Sequence, residues 1–481
     1  MLRLRFSPLF LFAIILALAM FLSCSSGGDN TDGSSEGSCG AVSDDGWPFD
    51  PSGEELEPSP SLDSLKIIYD VDFDGIHHLG DNIIEIKYKD GSDPEIINDY
   101  ESERVVVASD GEDVTVTMPI SNKIYSFILS GTTRNGSLTF TGDVRKELYL
   151  NGVSITSSKG PAIKQLGSKH VLVHLVKGTN NYLADGPNYK CSNFAENEPN
   201  AKGAFFSEGK LEFEGSGSLE VKGKCNHAIA VDEDFEINNG RVTISEAVGD
   251  GIHANDRIKV KGGVLDIKSV GDAIQSEKAP KDDDKNPLDW MRIVGGKIKA
   301  QTTGTKSHGI TAEGPIRIDS AAVVQISVKG NGSKGIKSSG TVEEKNQSGE
   351  VVTKHPPRQL DFFGGKVFIK ASGSRDIDNT ATPPDTSAAA GIKLDGILSI
   401  TGGELTVKSP GCKAKGINIT NGTISGGNTR VEADDDGIKV NAEGRLQITG
   451  GTVYIKSAKK KAIDGTYTDS GNNTTLIDGG F

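Results

Sequence analysis

A short phrase recurs along this chain of 481 residues: Gly-Ile or Ala-Ile in a polar turn, a stretch alternating Ile or Val with charged residues, a Gly-Gly pair, and a second alternating stretch. The dipeptide falls at Ala162-Ile163, Ala228-Ile229, Gly251-Ile252, Ala273-Ile274, Gly309-Ile310, Gly335-Ile336, Gly391-Ile392, Gly416-Ile417, Gly437-Ile438 and Ala462-Ile463, with Ala204-Phe205 as a variant. Between Phe205 and Ile274 the steps are 24, 23 and 22 residues; between Ile392 and Ile463 they are 25, 21 and 25. Such spacing is too short for a propeller blade, and the Leu/Asn pattern of a leucine-rich repeat is missing, which leaves stacked β-solenoid coils.

The interior of one repeat agrees. In Ile258-Lys259-Val260-Lys261 and Leu265-Asp266-Ile267-Lys268 the side chains change face at each residue, as a strand with one buried face requires. Gly262-Gly263 between them permits a tight corner. Two strands and a short third one around the Gly-Ile predict an all-β fold, a right-handed parallel β-helix with about a dozen coils and almost no helix. Glycine, at 60 residues, fits a turn-dense solenoid. The net charge of −14 argues against nucleic acid as a partner, and implies that an acidic polysaccharide needs a bridging cation.

Arg3 and Arg5 precede an apolar run from Leu9 to Phe21 that is too short to be kept as a spanning helix, so residues 1–23 are expected to be an export signal. Phe21-Leu22-Ser23-Cys24 is similar to the bacterial lipoprotein box, which makes Cys24 the lipidation site and the membrane a partner through an N-terminal anchor. The Ser/Gly/Asp-rich residues 24–61 read as a flexible tether, and 62–123 match the coil pattern poorly, as N-terminal cap strands would. The β-helix is expected over 124–481, in a monomer held outside the cytoplasm at the outer membrane or cell surface. Cys191 and Cys225 are close enough in the repeat to form a disulfide, with two buried thiols as the alternative.

Ordered phrases between Ser126 and Ile274 carry a further resemblance. They include Phe127-Ile128-Leu129-Ser130-Gly131, Leu148-Tyr149-Leu150-Asn151-Gly152-Val153, Gly178-Thr179-Asn180-Asn181, Asn226-His227-Ala228-Ile229 and Gly249-Asp250-Gly251-Ile252. Over most of residues 80–470 the chain resembles the bacterial carbohydrate-binding β-helix family typified by a clostridial cellulose- and polygalacturonate-binding surface protein. The resemblance implies a pectate-lyase-like fold that binds plant cell-wall polysaccharide and holds calcium. The chain departs from that pattern in insertions at about 278–290, 341–358 and 376–389, and in Lys334, Lys415 and Lys461, where the motif commonly has Asp.

Asp250 and Asp272 immediately precede the dipeptide in neighbouring repeats, with His227 and His308 at the same place in the flanking ones. Strand spacing of about 4.8 Å would stack the two carboxylates and make them repel. A calcium ion would relieve that, and a second ladder of Asp232, Asn255 and Glu277 offers more oxygen donors. Asp435 and Asp436, in the run Asp434-Asp435-Asp436-Gly437, are further candidates, while Asp282-Asp283-Asp284 reads as an exposed loop. The alternative throughout is that Asp-Gly is turn chemistry with hydrated carboxylates. For sugar stacking the candidates are Trp290, which either forms a platform or caps an insertion, and Tyr182 and Tyr189 in the long loop region. No catalytic constellation stands out; Arg257 is the best-placed base for a lyase. The expected function is a calcium-stabilised surface lipoprotein that binds cellulose or polygalacturonate, with a lyase or hydrolase of pectin-like glycans, or a structural adhesin, as alternatives.

Overall fold

The computed structural model of the chain describes residues 82–192, 201–280, 289–339, 342–345, 348, 351–354, 360–470 and 474–479. The expected export signal, Cys24, the tether and Asp282-Asp283-Asp284 lie outside these residues. What is described is all-β, and most strands run parallel. The helical element among the described residues is the 3-10 turn Glu101–Glu103.

Two large sheets carry the architecture, one of 14 strands and one of 22 among the described residues. The 14-stranded sheet is built on the dipeptide phrases. Phe205 pairs with Ile163 and Ile229, Ile229 with Ile252, Ile252 with Ile274, and Ile274 with Ile310. The same register continues through Ile336, Ile392, Ile417, Ile438 and Ile463. All of these side chains are buried, so identical offsets in the sequence become one apolar column inside the protein.

The 22-stranded sheet is built on the cassettes that flank Gly-Gly. Ile258–Val260 and Val264–Ser269 lie parallel to the two ends of Met291–Thr302, which runs on through its own Gly295-Gly296. The second glycine of each such pair takes a positive φ, between 75° and 86° at Gly263, Gly296, Gly365, Gly403, Gly427 and Gly451. A Cβ at Gly403 would lie 2.6 Å from the Gly364 carbonyl carbon, so each corner nests on the one before it.

At the N-terminal end the coil pattern gives way to two antiparallel hairpins. Ile83–Lys89 turns back through Asp90-Gly91 into Ser92–Asn98, and Val106–Asp110 pairs with Asp113–Thr117. One strand of each hairpin continues the stack in parallel, Ile83–Lys89 on Tyr125–Thr133 and Asp113–Thr117 on Ser137–Thr141. The hairpins thereby cover an edge that would otherwise offer a row of unpaired backbone groups. Two of the insertions also form small antiparallel pairs, Val342–Lys345 with Val351–Lys354 and Asp376–Asp378 with Asp385–Ser387. Of the two alternatives left open for Cys191 and Cys225, the disulfide is the one formed, with the Cα atoms 6.1 Å apart.

Candidate functional site

The residue before each dipeptide occupies one stacked position, and its side chain serves the backbone of the next repeat. His227 Nδ1 accepts the Asp250 N–H at 2.9 Å, and Asp250 Oδ1 accepts the Asp272 N–H at 2.7 Å. Asp272 Oδ1 accepts the His308 N–H at 2.6 Å, and His308 Nδ1 accepts the Lys334 N–H at 3.1 Å. These turns leave an amide without a strand partner, and a short acceptor one repeat earlier satisfies it.

The second oxygen of Asp250 meets two imidazoles. Oδ2 lies 2.9 Å from His253 Nδ1 and 3.2 Å from His227 Nδ1. The two rings stack with centroids 4.3 Å apart, and His253 Nε2 reaches Glu277 Oε2 at 3.3 Å. Burial works against the Asp250 anion, but the hydrogen bond and charge of His253 outweigh it and hold the carboxyl well below the usual range. Burial likewise opposes the charged form of His253, yet its bonds to Asp250 and Glu277 lift it to about 9. His227 is pushed down by burial, in keeping with a neutral ring that accepts an N–H. Asp272 is pushed up to about 7, first by burial and then by the charge of Asp250.

The residues gathered at Asp250 and Asp272 do not form the all-oxygen cage that calcium takes. Asp250 is already flanked by imidazole nitrogens, Asp272 gives its oxygen to an amide, and Asp232 is held by Lys202 at 2.8 Å and by Asn255 Nδ2 at 3.0 Å. Asp272 therefore carries an unneeded charge: with chelator present at pH 8, Asp272→Asn should raise stability by about 1–3 kcal/mol, because Asn keeps the acceptor and loses the repulsion. Thermal unfolding checks this; repeated with calcium in place of chelator, a calcium ligand would show the opposite sign.

In the C-terminal half lysines enter the stack. Lys415 Nζ lies 2.7 Å from Asp436 and 3.4 Å from Asp435, Lys460 lies 3.0 Å from Asp435, and Lys459 lies 3.1 Å from Asp434. At Asp435 and Asp436, expected as candidates for a cation, the structure places the ammonium groups of Lys415 and Lys460.

The aromatic candidates divide. Trp290 is buried, with the Arg257 guanidinium 5.5 Å over its ring, so it is a packing residue and not a sugar platform, and Arg257 is stacked upon it. Tyr189 donates its hydroxyl to Asp185 Oδ2 at 2.7 Å beside the disulfide, which makes it a fastener of that loop. Tyr182 is half-buried on the outward row of the 22-stranded sheet, beneath the Lys222 ammonium.

That same outward row leads to a surface that no motif in the sequence marks out. Gln325, Phe368, Thr406, Arg430 and Tyr454 stand in direct register on successive strands. The neighbouring row is Ser327, Lys370, Lys408, Glu432 and Lys456. Phe368, Lys370, Lys408, Pro410, Glu432, Asp434 and Lys456 are among the residues lining an open groove of about 360 Å³. The Arg430 guanidinium covers the Tyr454 ring at 4.3 Å. A weaker signal was present: each residue of the two rows sits at an outward-facing offset of the cassette, three or five residues after the second glycine or its equivalent. His253 was missed because it reads as ordinary alternation after Ile252.

The described residues are thus all-β with mostly parallel strands, and a groove on one outer face is lined by Phe368, Lys370, Lys408 and Lys456 together with Glu432 and Asp434. Residues 110–425 match the family described as carbohydrate-binding domain-containing protein, and this chain belongs to that family. A protein of Acetivibrio thermocellus with the same description is 31% identical over 136 residues, which are 27% of this chain and 44% of that protein. The chain thus spans less than half the length of that curated relative. A solved structure titled as the polysaccharide lyase-like protein from C. thermocellum, in a gadolinium derivative, is 23% identical with a TM-score of 0.44, covering 53% of this chain and 94% of the other.

Proposed function

We propose that this protein is a surface lipoprotein, anchored through Cys24, whose right-handed parallel β-helix of about a dozen coils binds plant cell-wall polysaccharide along the Phe368–Tyr454 face. The observation that carries this reading is the pair of rows in register. Phe368 offers a ring face to a pyranose ring, and Lys370, Lys408 and Lys456 offer ammonium groups beside it. Lys370 and Lys408 stand on adjacent strands, about 4.8 Å apart along the stack. In a chain whose net charge is −14, this groove sets three lysines beside Glu432 and Asp434, a local balance that favours an acidic glycan such as polygalacturonate over neutral cellulose. Because lysines can meet the ligand's carboxylates directly, a bridging calcium is not required at this groove.

Titration calorimetry of polygalacturonate oligomers at low salt tests this. Lys370→Glu with Lys408→Glu and Lys456→Glu should weaken binding on the order of 100-fold, at roughly 1 kcal/mol for each ammonium–carboxylate attraction turned into repulsion. Capture on insoluble cellulose should fall much less, and chelator should leave the wild-type titration unchanged. Wild-type affinity in the triple variant would refute the placement, and loss of binding with chelator would return calcium to the interface.

A further inference from the structure

The mismatch between calcium and the donors around Asp250 points to a different ion. We propose that His227, Asp250 and His253 form a binding site for a divalent transition-metal ion of the zinc class. Imidazole nitrogens with one carboxylate oxygen suit zinc, cobalt, nickel or copper and are poor partners for calcium. The three side chains offer ligand atoms that all lie within 4.8 Å of one another, and all three are largely buried.

The geometry is close to what such an ion needs. Ligand atoms about 2.0 Å from a tetrahedral zinc are about 3.3 Å from each other. Asp250 Oδ2 lies 3.2 Å from His227 Nδ1 and 2.9 Å from His253 Nδ1. The supporting contacts are also in place. Asp250 Oδ1 is tied to the Asp272 N–H at 2.7 Å, which turns Oδ2 toward the imidazoles. Glu277 Oε2, 3.3 Å from His253 Nε2, holds the proton on that nitrogen and leaves Nδ1 facing Asp250. A carboxylate on the far nitrogen is the usual orienting partner of a metal-bound histidine.

Binding displaces groups that can be named atom by atom. The ion replaces the proton between His253 Nδ1 and Asp250 Oδ2, which leaves to solvent. At His227 Nδ1 it displaces the Asp250 N–H, now bonded at 2.9 Å. This predicts a site of moderate affinity that fills one ion per chain.

The test uses the full chain stripped with chelator and then dialysed. Isothermal titration with zinc chloride should give one ion per chain at micromolar affinity with release of a proton, and the melting temperature should rise by several degrees. Calcium chloride at the same concentration should do neither. Cobalt(II) should give the visible absorption of a tetrahedral N/O site in the wild-type protein. In His253→Gln and in His227→Gln, zinc affinity should fall at least about 100-fold and the cobalt band should vanish, while circular dichroism and polygalacturonate binding remain as in wild type. Absence of stoichiometric zinc binding by the wild-type chain would overturn the proposal. So would equal zinc affinity in folded His253→Gln, or calcium stabilisation equal to that of zinc. None of these outcomes bears on the glycan groove, which lies on other residues.

Discussion

Gly403→Ala should destabilise the protein by about 3–5 kcal/mol. Two penalties combine. At a φ of 79° an L side chain costs about 1–2 kcal/mol by itself. The added Cβ would also sit 2.6 Å from the Gly364 carbonyl carbon and 2.7 Å from both Gly364 Cα and Gly365 O. Those atoms are backbone in the preceding corner, whose strands are held in register on either side, so they cannot retreat. Gly152 is the control. Its φ is 74° but an added Cβ would meet nothing within 4 Å, so Gly152→Ala should cost only the conformational part, about 1–2 kcal/mol. Denaturant unfolding of the two variants measures the difference. Equal losses would mean that the stacked corners yield, and that the Gly-Gly pairs are kept for φ alone.

The same stacking explains what could be read from the sequence. In a repeat whose strands pair with their own copies, register is written as offset: Ile252 lies against Ile229 and Ile274 because each follows its Gly or Ala at the same place. Alternation then assigns inside and outside for nearly every strand residue, and the glycine pairs mark the corners. Asp90-Gly91 marks a hairpin in the same way.

The site was less legible, for reasons that particular residues make plain. Asp250 and Asp272 were rightly placed in neighbouring turns, but what each carboxylate does depends on groups that pattern does not supply. His253, three residues on, turns the Asp250 environment from repulsive to attractive, and the His308 amide occupies Asp272. Composition near Asp435 and Asp436 suggested a cation site, yet the cations are Lys415 one repeat earlier and Lys460 in the repeat that follows. Trp290 resembled a platform because tryptophan often is one; here it is buried with Arg257 over its ring. The groove needed outward offsets to be compared across strands as distant in sequence as Lys366–Ala371 and Leu446–Ser457, with insertions between the earlier repeats.

Lys146 is the second place where a large effect is expected, and nothing in its alternating strand marks it. Its side chain is buried, with Nζ donating to Gln165 Oε1 at 2.8 Å and lying 5.6 Å from the Phe140 ring centre. Burial drives the ammonium down to about 7, against 10.5 in an open chain. The sign follows from the two values. Below pH 7 both states are charged and folding bears the full cost of burying the ammonium. Between 7 and 10.5 the folded protein sheds the proton while the unfolded chain keeps it, so the cost shrinks. Above 10.5 both are neutral and it is gone. Replacing Lys146→Met together with Gln165→Leu removes donor and acceptor at once, so no buried polar partner is orphaned between the two. The double variant should therefore be more stable than wild type by about 3 kcal/mol at pH 6, with the advantage falling toward zero near pH 10.5. Unfolding midpoints measured across that range decide it. A constant advantage would mean that the variant gains by packing alone, and that Lys146 keeps its open-chain pKa in the folded protein.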